Sequence, residues 1–248
     1  MGLRYVGQMN GPWEYQLRPK RVAAVLACIA AVLLALHLVA MQANFNDSLG
    51  LKERFGFHYW QLAMFDLDEE ESFGTWFSSG LLLAAGILLI HIARATRGEP
   101  GNWDRWWLAL GLGFCILSID EVAGVHELVN AMMDETSWTV LAFPLLGAVL
   151  IAYVPFLWHY RGPMAVAFLI AGAIYTGGAV GVEHFTDAQV NSLHYNMWTA
   201  LEEGMEMGGV IWFIYALLDF MRGASGRAVQ LVVGTAADPS AAGSEPRT

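Results

Sequence analysis

"WWLALGLGFCILSIDEVAGVHELV", residues 106–129, decides the fold. Its first half is an apolar run, and its length reaches the ~20 residues that a helix needs to cross a ~30 Å hydrocarbon core. Its second half carries Asp120, Glu121, His126 and Glu127. A membrane helix does not carry three carboxylates and an imidazole near one end without a reason. Each such charge costs ~2.5–3.5 kcal/mol at the helix centre on insertion scales, and less near the interface.

The rest of the chain has the same character. Hydrophobic residues make up 56% and charged residues 15%, against about a quarter charged in soluble domains. Six apolar stretches are long enough to span, at 22–43, 73–94, 106–129, 138–158, 164–184 and 197–221. The expected fold is therefore all-α, a polytopic bundle of six transmembrane helices in one domain, 1–222. From Gly223 the chain is rich in Ala, Gly, Ser and Pro, and 223–248 reads as a disordered cytoplasmic tail. The first span is too long for the h-region of a signal peptide. A net charge of −10, with no basic patch visible, argues against a nucleic-acid partner. Cys28 and Cys115, both within spans, read as small packing residues.

Lys and Arg set the orientation. Of thirteen, only Lys52 and Arg54 fall on one side; Arg94, Arg97, Arg105, Arg161, Arg222 and the others fall on the opposite side. Six spans then place both termini in the cytoplasm, and the expected location is a bacterial cytoplasmic (inner) membrane. The acidic residues do the reverse and gather at the outer ends of the spans. The insertion machinery sorts acidic residues weakly, so a site is the better explanation.

Helical rise gives the depths. Asp120 lies ~22 Å along the third span from Arg105, and Glu127 ~33 Å. Being seven apart, they share one face, with Glu121 and His126 flanking it. In the sixth span, "LEEGMEM", residues 201–207, brings Glu206 to ~24 Å and Glu202 to ~30 Å from Arg222. Glu203 and Glu206 are neighbours at i, i+3. The fifth span ends in Glu183 and His184. Gly177/Gly181 and Gly204/Gly208 are small-xxx-small pairs that suit close helix approach. The acidic loop "DLDEEES", residues 66–72, reads as a solvated cap on the second span.

Carboxylates gathered at one level repel unless some stay protonated or a cation sits among them. The expected ligands are Asp120, His126, Glu127, Glu183, His184, Glu203 and Glu206, with Glu121, Glu202 and His194 behind them. Carboxylate and imidazole suit one or two ions of iron, manganese or zinc. His91 and His159 are single interfacial histidines and do not call for haem. His37 reads as a helix-packing residue. Trp60, Trp76, Trp138 and Trp198 read as one aromatic belt, and Trp103, Trp106, Trp107, Trp158 and Trp212 as the other.

"EEGME", residues 202–206, resembles the Arg-Glu-Gly-Leu-Glu element of membrane iron permeases. Glu203, Gly204 and Glu206 match it, and Glu202 stands where that family has arginine. The resemblance implies iron. The functional expectation is a membrane metalloenzyme, a hydrolase or di-metal oxidase, acting on an apolar or lipid-like substrate taken from the bilayer. A cation carrier or sensor, and an accessory subunit of a membrane complex, are the alternatives.

Overall fold

The computed structural model describes residues 13–47, 50, 53–54, 56, 59–133, 137–186, 192–225 and 229–233. Its helices are α1 (Pro19–Phe45), α2 (Tyr59–Ala63), α3 (Phe73–Ala95), α4 (Trp103–Ala123), α5 (Val125–Met132), α6 (Thr139–His159), α7 (Pro163–Thr186) and α8 (Leu193–Ser225). All but α2 and α5 are long and apolar enough to cross a membrane. Helices are the expected solution there, because every backbone N–H and C=O finds its partner within the segment.

A short antiparallel ribbon joins the two ends of the chain: β1 (Trp13–Leu17) pairs with β2 (Val229–Val233). Composition had placed 229–233 in a disordered tail, and the pairing corrects that for these five residues. The sign was local: four of the five residues, VQLVV, are apolar and three are β-branched, and the Ala, Gly, Ser and Pro content of the whole tail hid it. Residues 223–225 continue α8, and the remaining residues of the expected tail lie outside the described residues.

One end of the bundle carries the arginines and is packed on aromatic rings. Trp107 is fully buried, not part of a belt. Its ring meets Phe156 edge-on at 4.9 Å, and its Nε1 donates to the Tyr160 hydroxyl at 3.0 Å. Trp103 stacks on His159 with ring centres 4.3 Å apart, so this histidine is occupied in packing.

Glycines set the closest helix crossings. A Cβ on Gly86 would lie 3.0 Å from the Gly111 carbonyl oxygen and 2.8 Å from Cys115 Sγ, which locks α3 to α4. Towards the acidic end the same two helices exchange bonds: Ser79 Oγ donates to the Ser118 carbonyl at 2.8 Å, and Ser118 Oγ to the Ser79 carbonyl at 2.9 Å. Between α7 and α8 the tight positions are Gly178 and Gly209. A Cβ on Gly178 would lie 2.7 Å from the Glu202 carbonyl oxygen, and one on Gly209 2.7 Å from the Tyr175 nitrogen. Of the expected glycines, Gly177 does face α8, where a Cβ would lie 2.9 Å from Met205 Cε, and Gly204 faces Leu34 of α1 at 3.4 Å, whereas a Cβ at Gly208 would meet nothing within 4 Å. A π-helical stretch, Gly177–Val182, within α7 shifts the face that a 3.6-residue period assigns to Gly181, where a Cβ would meet only the Thr176 oxygen of its own helix, at 3.9 Å.

His37 is fully buried and ties three elements together. Its Nδ1 accepts from the Leu67 N–H at 3.1 Å, so Nε2 carries the proton and donates to the Asn196 carbonyl at 3.1 Å. The packing role expected for it is what the structure shows. Asp66 stands beside it, 3.5 Å away, and burial raises the Asp66 carboxyl above the ordinary carboxylate range.

Candidate functional site

The third predicted span is not one helix. α4 stops at Ala123, Gly124 takes the left-handed φ of +54°, and α5 starts at Val125. Asp120 and Glu127 therefore do not share a face. Gly124 has no side chain with which to cap α5, and Asp120 reaches across instead. Its Oδ1 accepts the His126 backbone N–H at 3.1 Å, and its Oδ2 lies 3.2 Å from His126 Nδ1. A carboxylate at a helix N-terminus also meets the positive end of the helix dipole. Asp120 is thus committed to holding the α4–α5 corner, while Glu121 is left for the bundle.

Glu121 lines a cavity of about 1030 Å³ framed by α4, α6, α7 and α8. Glu183, Glu202, Glu203 and Glu206 line the same cavity, and the carboxylates of Glu121, Glu203 and Glu206 lie within electrostatic range of one another. No Lys or Arg is among the described residues of its wall. The π-helical turns and Gly178 bring α7 against α8 at Glu202 and Glu206, and π-bulges are frequent at functional sites. Glu183 follows those turns, and the Trp138 indole N–H donates to its Oε1 at 2.7 Å.

Away from the carboxylates, the wall is apolar and aromatic: Leu110, Phe114, Tyr153, Phe156, Phe168 and Phe213. Phe213 stacks on Phe114 at 4.9 Å and meets Phe168 at 4.5 Å. The cavity therefore has an acidic end and an apolar floor.

The remaining expected ligands divide. His126 and Glu127 line the mouth of the cavity with Asp120. Burial and the neighbouring Glu70 raise the Glu127 carboxyl above its ordinary value. His184 is turned away: its Nδ1 lies 2.9 Å from the Thr139 hydroxyl, and its ring meets Phe143. His194 is exposed, and its Nε2 accepts from the Trp198 indole at 3.1 Å. Neither histidine is among the residues lining the cavity, so His184 leaves the expected ligand set and His194 does not stand behind it. Sequence distance could not show this, because α6 and the N-terminal turn of α8 capture these rings first. Among the described residues, no three His, Cys, Asp or Glu side chains stand close enough together to hold a metal ion.

Glu70 was overlooked. As part of an acidic loop it reads as solvated, yet it lines the cavity, and its Oε1 is buried without a hydrogen-bond partner among the described residues. A Cβ on Gly124 would collide with this carboxylate. The glycine at the α4–α5 corner is what gives Glu70 its room.

Six apolar helices, four of them framing a cavity with one acidic end, define a multi-pass membrane protein with an amphipathic chamber. The chain belongs to the family described as Domain of unknown function (DUF8692), which matches residues 22–220. No curated protein and no solved structure matches the chain.

Proposed function

We propose that this protein is a membrane metalloenzyme whose chamber acts on an apolar or lipid-like substrate. The observation that carries the reading is that ten acidic residues, six of them on α4, α7 and α8, line one chamber with no Lys or Arg in its described wall. Like charges in a low-dielectric site must be relieved by protons or by a cation. One or two ions of iron, manganese or zinc would be held by Glu121, Glu203 and Glu206, with Glu183 and Glu202 at their sides. Binding requires these side chains to swing together about their torsions, which relief of their mutual repulsion favours.

A bound ion would supply Lewis acidity or an activated water. The chain's own groups do the rest. The Trp138 N–H orients Glu183, the aromatic floor excludes water, and a carboxylate beside the reacting group can take or return a proton. Hydrolase and oxidase chemistry are both open to this set. A carrier is disfavoured: the floor residues Leu110, Phe114, Phe156, Phe168 and Phe213 offer a cation no ligand for onward passage.

The distribution of Lys and Arg supports cytoplasmic termini, with the chamber's acidic end facing outward in an inner membrane. The deciding experiment is metal analysis of detergent-purified protein, with ~1–2 ions per chain expected, as in carboxylate-bridged helical bundles. Glu206→Gln should lose the metal and keep the fold. Folded wild-type protein that neither carries nor rebinds iron, manganese or zinc would overturn the reading.

A further inference from the structure

We propose that the chamber admits one hydrocarbon chain of a bilayer lipid sideways, past α6, from the leaflet at the acidic end. The lipid's head group carries no net negative charge. This names the substrate class of the function proposed above and rests on that reading.

Three observations carry it. The first is exposure of the wall itself. Leu117 on α4, Leu145, Val149 and Leu150 on α6 and Leu169 on α7 line the chamber, yet they are 37%, 64%, 43%, 53% and 47% exposed. A side chain that faces both the cavity and the outer surface marks a break in the wall. Moreover, α6 is held mainly at its two ends. Trp103, Trp106 and Trp107 grip one end through Phe156 and Tyr153. The other end is tied by Trp138 to Glu183 and by Thr139 to His184. The break lies between these clamps, at the depth of the lipid chains.

The second is length. Glu121 to Leu110 spans ~16 Å along α4, close to half of a ~30 Å hydrocarbon core. The apolar part of the chamber is therefore about one leaflet deep. Its volume of about 1030 Å³ reaches the top of the ~300–1,000 Å³ range of ligand sites. The third is charge. The mouth is lined by Asp68, Glu69, Glu70 and Glu127, which repel an anionic head whatever occupies the chamber beyond.

The test is photo-crosslinking of the full chain in nanodiscs with phosphatidylcholine bearing a diazirine near the end of one acyl chain. Label should appear on the floor, at Leu110, Phe114 and Phe213, besides the lipid-facing Ile87, Ile116 and Ile151. Gly147 and Gly172 line the chamber, and a Cβ at either would meet nothing within 4 Å. Gly147→Phe and Gly172→Phe should therefore narrow it, with room at the Cβ of each, and both raise helix propensity. Each should lose floor labelling while thermal unfolding is not lowered and lipid-facing labelling persists. Label confined to lipid-facing residues in the wild type, or floor label that survives both substitutions, would overturn the proposal. Phosphatidylglycerol with the same acyl chain should label the floor less, and equal labelling would overturn the head-group assignment. Metal content of the same samples separates the two readings. Metal-free protein with a labelled floor ends the enzyme proposal and keeps this one; metal-loaded protein with an unlabelled floor does the reverse.

Discussion

The two ends of this bundle solve opposite problems. At the arginine end, rings pack on rings: Trp107 and Phe156 are wholly buried, and the one polar atom of the Trp107 side chain finds the Tyr160 hydroxyl. At the acidic end, carboxylates face a chamber, one Glu70 oxygen lacks a partner among the described residues, and a helix is broken at Gly124. Buried polar groups without partners are costly, and proteins keep such costs chiefly where function needs them. The contrast teaches that the arginine end supplies stability and the acidic end spends some of it.

The largest expected effect therefore lies at the arginine end. Trp107→Ala should cost about 3–5 kcal/mol, as for large-to-small changes in packed cores. Thermal unfolding in detergent checks this. A loss below ~1 kcal/mol would show that the ring cluster is not the anchor.

Next comes a pair of neighbours with opposite roles. Glu121→Gln should abolish metal binding at unchanged or slightly raised stability, because it removes repulsion among carboxylates. Asp120→Asn should do the reverse. It weakens the charge-assisted bond to His126 and costs ~1 kcal/mol, leaving metal content intact. Both are read by metal analysis and by unfolding with and without added metal, since a ligand bound only to the folded state raises stability. Equal outcomes at 120 and 121 would erase the distinction between corner and chamber.

The smallest effect concerns pH. Burial raises the Asp66 carboxyl, with His37 and the Asp68 backbone N–H opposing and Asp68 and Glu69 reinforcing the shift. A carboxyl whose folded value is raised binds its proton more tightly in the folded state. Its contribution to stability is therefore present below the unfolded value, 3.8, and is lost as pH rises through the folded value. Asp66→Asn keeps an acceptor for the Asp68 N–H and removes the titration. Its unfolding temperature should fall less between acid and neutral pH than that of the wild type. A steeper fall in the variant would reverse the sign assigned to this group.

Much of this was legible in the sequence. The six apolar runs gave the spans because membrane helices satisfy their backbones locally, so length and hydropathy suffice. The gathering of Glu183, Glu202, Glu203 and Glu206 at one level followed from helical rise alone. What sequence could not decide was direction around and between helices. A left-handed Gly124 and a π-helical stretch at Gly177–Val182 each reset the helical phase. The first took Glu127 off the face of Asp120 and let Asp120 hold the start of α5; the second sets α7 against α8 at Gly178. Neighbouring side chains took His184 and His194, and a chain-distant loop contributed Glu70. Composition and period thus determined which residues sit at which depth. Only the tertiary structure decided which of them share a chamber, because that depends on local breaks in helical period and on partners far away in sequence.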